Sequence, residues 1–156
     1  MDPAEVDLNA EEKEIMGAVS VSRAPVVWAM TSPVSGRFSP VETRSDVVDL
    51  SERFNELRSH GQGYLELRLL DRNYPVLTLA FRDDYAVVHL FTSADQVPLL
   101  AGDGTVPLAD VVEVPIIDDL KGFTGDFVLG VDRAWDRVRS FIRTESPSDL
   151  GEWREL

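Results

Sequence analysis

The chain has 156 residues, 28 acidic against 15 basic side chains, two histidines and no cysteine, for a formal charge of −13. That length supports one domain burying roughly 70% of its unfolded surface and leaves no room for two, while an apolar share of 44% excludes wholesale disorder. The charge disfavours nucleic acid and anionic lipid as partners and favours cationic ones, and the missing cysteines exclude disulfides and thiolate metal sites.

Residues 1–16 carry Asp2, Glu5, Asp7, Glu11, Glu12 and Glu14 against Lys13 and read as a mobile acidic arm, with a short helix able to start after Asn9. The early acids stand where a secretory signal would carry basic residues. No apolar run approaches the roughly 18 residues a membrane span needs, so a cytoplasmic protein without a membrane partner is expected. Residues 17–156 read as a single α+β domain with a C-terminal tail. Val19, Val21, Val26, Val27 and Trp28 around Pro25 suggest an edge strand running into a turn-rich stretch, Thr31 to Pro40.

Ser45 stands as N-cap before a helix in which Val47, Leu50, Phe54 and Leu57 share a face until His60 and Gly61 stop it. Tyr64–Leu70 then alternates, with Leu65, Leu67 and Leu69 on one side and Tyr64, Glu66 and Arg68 on the other. Val76–Phe81 and Tyr85–Thr92 follow after short turns, and such short connections require an antiparallel meander. Val97–Leu100, Val111–Ile117 and Phe127–Val131 read as shorter strands broken by Gly102, Gly104, Gly122 and Gly125. Asp132 can cap a last helix with Trp135, Val138, Arg139 and Ile142 on its stripe. The expected fold is α+β, a mainly antiparallel sheet with a central meander and both main helices on one face.

The sequence carries few signatures of chemistry. The nucleophile elbow, the phosphate loop and the dinucleotide fingerprint are all missing, and Gly102-Asp103-Gly104 reads as a tight turn. His60 suits a helix C-terminus; His89 shares a strand face with Val87 and Phe91 and reads as a core or half-core histidine. Asp83-Asp84 and Asp118-Asp119 sit in expected loops without the spacing that wraps calcium. No catalytic set, cofactor or metal is expected. Trp153, between Glu152 and Arg154 in a polar tail, either folds back on the domain or anchors an interface.

Gly63-Tyr64-Leu65-Glu66-Leu67, Pro75-Val76-Leu77-Thr78-Leu79, Tyr85-Ala86-Val87-Val88-His89 and the closing Gly151-Glu152-Trp153-Arg154-Glu155-Leu156 together resemble the Imm1 family of bacterial immunity proteins, actinobacterial members above all. The resemblance spans roughly residues 44–156. It implies an antidote that binds and blocks a cognate polymorphic toxin, and it carries no catalytic residues. An acidic antidote suits a basic toxin that attacks nucleic acid, since it can mimic phosphate charge and associate fast. On that expectation the interface candidates are the carboxylates Asp83, Asp84, Asp103, Asp118 and Asp119, with Glu152, Trp153 and Glu155 as a second patch. Two alternatives stay open: an acidic interaction or regulatory module without a toxin, and an enzyme in which His89 converges with two carboxylates.

Overall fold

The computed structural model describes residues 25–155, so the acidic arm expected over residues 1–16 and the strand material at Val19 and Val21 lie outside the described residues. In chain order the elements are β1 (Pro25–Met30), β2 (Thr43–Asp46), α1 (Val47–Arg58), β3 (Gln62–Leu69), β4 (Val76–Arg82), β5 (Tyr85–Phe91), β6 (Leu99–Leu100), β7 (Val111–Ile116), β8 (Asp119–Thr124), β9 (Leu129–Gly130), α2 (Val131–Thr144) and β10 (Trp153–Arg154). Single 3-10 turns at Gly125–Phe127 and Pro147–Leu150 lie before β9 and before β10.

The meander forms as its alternation dictates. Leu65 pairs with Leu79 and Leu79 with Val88, while Leu67 pairs with Leu77 and Leu77 with Leu90, so every second side chain of β3, β4 and β5 falls on one face. The sheet extends by antiparallel pairing into the order β10-β6-β5-β4-β3-β1-β2, with β9 beside β5. Both helices cover the leucine-rich face. Leu50, Phe54 and Leu57 of α1 and Ala134, Val138 and Phe141 of α2 share its core with Leu65, Leu77, Leu79 and Val88. The antiparallel β7–β8 ribbon covers part of the opposite face, with Val114 packed against Tyr64, Ala80 and Val87. The α+β fold with a central meander and both helices on one face is therefore as the sequence indicates.

Several local expectations are corrected. β1 is interior, paired with β3 on one side and β2 on the other, and β2 takes the edge. The N-cap of α1 is Asp46, whose carboxylate accepts from the Asp49 amide at 2.9 Å; Ser45 instead accepts from the Trp28 indole at 2.8 Å. Asp132 lies inside the first turn of α2, whose N-cap position is Gly130. The α2 stripe is Val131, Ala134, Val138, Phe141 and Ile142; Arg139 points to solvent and pairs with Asp136. Trp135, half-buried, stacks on Phe54 at a centroid distance of 4.3 Å. β8 occupies a stretch read as loop, so Asp119 opens a strand opposite Ile116.

Candidate functional site

Strand ends decide where the acidic loops fall. The β4–β5 connection is Asp83-Asp84, with Arg82 opposite Tyr85, and Asp83 takes φ 56°, a left-handed conformation that Asp tolerates. The turn is tied into the body, since the Asp83 amide donates to the Gly61 carbonyl at 2.7 Å and the Val131 amide to the Asp84 carbonyl at 2.9 Å. It therefore sits beside the C-terminal end of α1 and the N-terminal end of α2. The β7–β8 turn reaches the same end, because Pro115, Ile117 and Asp118 line one cleft together with His60, Gln62 and Gly63.

Asp103 also belongs to this end of the sheet. Its carboxylate accepts from the Thr105 amide at 2.9 Å and the Gly130 amide at 3.1 Å, with Arg133 at 3.5 Å. Burial pushes its carboxyl up, but the Thr105 and Gly130 hydrogen bonds and the Arg133 charge outweigh that and hold it below the usual range. Asp103 is thus a side-chain cap for α2 supplied from a distant loop. Gly102 permits the close approach, as a Cβ there would stand 2.5 Å from the Gly125 carbonyl oxygen and 2.7 Å from that of Val128.

Five candidate carboxylates thus gather at one end, with differing commitments. Asp118 accepts from the Phe38 amide at 2.7 Å and faces Arg37 at 3.8 Å. Neighbouring acids are paired as well, Asp132 with Arg58 at 2.5 Å and Glu113 with Arg82 at 3.7 Å. Asp83, Asp84 and Asp119 are exposed and make no ion pair among the described residues.

The tail patch lies elsewhere, along the β6 edge. Trp153 pairs with Leu100, its indole donates to the Pro147 carbonyl at 2.8 Å, and its ring packs against the main core. Of the two roles open to it, Trp153 takes the inward one. Glu152 lends its carbonyl to the Ala101 amide at 2.8 Å and leaves its carboxylate near Arg154, while Glu155 is exposed.

A polar row crosses the sheet face opposite the helices. Glu66, Thr78 and His89 are neighbours on β3, β4 and β5, with Thr78 between the other two. The Tyr64 hydroxyl donates to Glu66 at 2.9 Å; burial, then the Glu66 charge and hydrogen bond, push the phenol far up, which keeps it a donor. Arg68 grips Glu42 through two bonds of 3.1 and 3.0 Å. His89 is half-buried edge-on to Phe123 at 5.5 Å, and burial, then the Lys121 charge, push its imidazole down to about 4. It is neutral at neutral pH. Two strand spacings, roughly 10 Å, separate the Glu66 and His89 backbones, so this row does not bring His89 together with paired carboxylates. Among the described residues no group of three His, Asp or Glu side chains is placed to hold a metal ion, and no helix is long and apolar enough to cross a membrane.

Two exposed apolar side chains at the acidic end escape sequence reasoning. Val34 is 96% exposed, and Ile117, assigned by its β-branched neighbours to a strand, sits 46% exposed in the ribbon turn. Composition alone does not distinguish such residues from core. Compared with protein-family models and with curated proteins, the chain matches no family and no individual protein.

Proposed function

We propose that the chain works by binding a basic protein through the acidic end of its sheet, and that this partner is the cognate toxin domain implied by the resemblance to Imm1 immunity proteins. The observation that carries the reading is the convergence of Asp83, Asp84, Asp118 and Asp119 at one end, three of them free of ion pairs among the described residues. Two of these carboxylates stand on a turn whose backbone is held by Gly61 and Val131, so they are presented on a rigid base. Fixed charges of this kind speed encounter with a cationic surface and select against anionic ones. Occlusion of the toxin's basic groove by the whole acidic end would block access of a nucleic-acid substrate, and the antidote would act in the cytoplasm that the toxin enters.

A toxin domain encoded beside this gene is expected on this reading, and coexpression with that domain tests it. Neutralisation and a stable complex are expected, and a toxin that stays active and unbound would remove it. The inward commitments of Asp103 and Trp153 shift weight within the candidate set toward the Asp83-Asp84 and Asp118-Asp119 turns.

A further inference from the structure

At the acidic end a cleft of about 280 Å³ is lined by the loop after β1, by the β7–β8 turn, and by Leu57, His60 and Gly63. Ile117 is the anomaly in its wall. It adopts φ 63° at the turn, where a β-branched residue is disfavoured and Asn or Gly would sit without strain. Its side chain is nevertheless held out to solvent, 46% exposed. With nearly half of its surface left in water, the apolar side chain returns only part of its possible burial energy to folding. Val34, 96% exposed, lines the same cleft from the facing loop. Exposed apolar residues are ordinary, and nine large ones are exposed among the described residues, but of these Val34 and Ile117 alone line this cleft, where a partner's side chain could cover both.

The electrostatics select the occupant. Leu57 and His60 bring the C-terminal end of the 12-residue α1 to the cleft, where the helix dipole favours positive charge although the Ser59 and His60 amides engage its last carbonyls and Arg58 stands in its last turn. Asp118 adds a full negative charge to the wall, its carboxylate oriented by the Phe38 amide at 2.7 Å. Arg37 faces that carboxylate from 3.8 Å with its side chain 77% exposed, a solvent-screened pair that an incoming cation can replace. The volume lies below the roughly 300 Å³ at which small-molecule sites begin and suits a single long side chain.

We propose that this cleft receives an arginine or lysine side chain of the partner protein, its alkyl stem between Val34 and Ile117 and its cationic head at Asp118 and the end of α1. The inference rests on the reading of the partner as a basic protein and places the anchor of that contact. Long basic side chains suit such a site because the stem buries apolar surface while the head keeps a polar partner.

The test uses the full chain with Ile117→Asn, Val34→Ser and the double variant. Asn tolerates the left-handed turn, and relief of that strain offsets the lost partial burial, so thermal melting should show Ile117→Asn about as stable as the parent. The double variant should bind the neighbouring toxin domain about tenfold or more weakly. Equal binding by parent and double variant would overturn the cleft assignment while leaving the antidote reading in place. If the toxin domain binds neither, the antidote reading falls, and amide shifts on titrating the parent with the peptide acetyl-Gly-Arg-Gly-amide decide the cleft separately. Shifts concentrated at Gly36, Gly63 and Asp118, missing with the Glu analogue, support it. Shifts elsewhere only, or none, overturn it.

Discussion

The Asp103 carboxylate accepts a hydrogen bond from the Gly130 amide at 3.1 Å, so a loop following β6 caps the start of α2 from 27 positions away. Side chains within the helix leave its N-cap position unserved, Gly130 having none to offer. Asp103→Ala should therefore lower stability by about 1–3 kcal/mol at neutral pH, read as a fall in the urea midpoint. The carboxyl is held below its ordinary value of 3.8, so its contribution is complete above that value and fades as the pH falls through the folded one. The gap between parent and variant should narrow in acid.

His89 has the opposite chemistry and a similar sign. An imidazole pushed from 6.5 to about 4 binds its proton less readily folded than unfolded. Its stabilising neutrality is complete above pH 6.5 and is lost as the pH falls from 6.5 towards 4, by up to about 3 kcal/mol. Melting curves across that window should show His89→Gln losing less stability than the parent. Parallel curves would show that the histidine does not titrate this way.

Trp153 closes the β6 edge of the sheet while its ring covers core residues. Trp153→Ala should cost about 2 kcal/mol, from lost apolar burial and the freed Pro147 carbonyl. It should also increase self-association, since a tail no longer anchored by the ring would detach more often from Leu99 and Leu100 and expose that strand edge. Denaturant titration and light scattering check the two effects.

The fold was legible where one physical signal dominated. Strict alternation in Tyr64–Leu70 and helical spacing from Val47 to Leu57 announced β3 and α1, because both bury one face against the same core. β2 was not legible, since Thr43, Arg44, Ser45 and Asp46 contain no apolar residue and hold their place by pairing with β1. β8 was masked by Lys121 and Gly122, and only Phe123 reaches the second core. In the candidate site, the turn carboxylates could be read as acidic loops, but their convergence depends on strand lengths and on contacts such as Asp83 with Gly61. Asp103 could not be separated from them, because its partners lie in the chain at Gly130 and Arg133. Ile117 hid for a different reason: a β-branched residue is the usual mark of a strand, and here it occupies a left-handed turn.

The most direct measurement is the affinity of the full chain, and of Asp83→Asn/Asp84→Asn/Asp119→Asn, for the neighbouring toxin domain by calorimetry at low and moderate salt. Asn accepts the left-handed backbone at Asp83, and all three side chains are exposed, so the variant should fold as the parent does. Binding through the acidic end should give a complex that weakens with salt and is at least about tenfold weaker for the triple variant. A complex of unchanged affinity in the variant, or no complex with the parent at any salt, would contradict it.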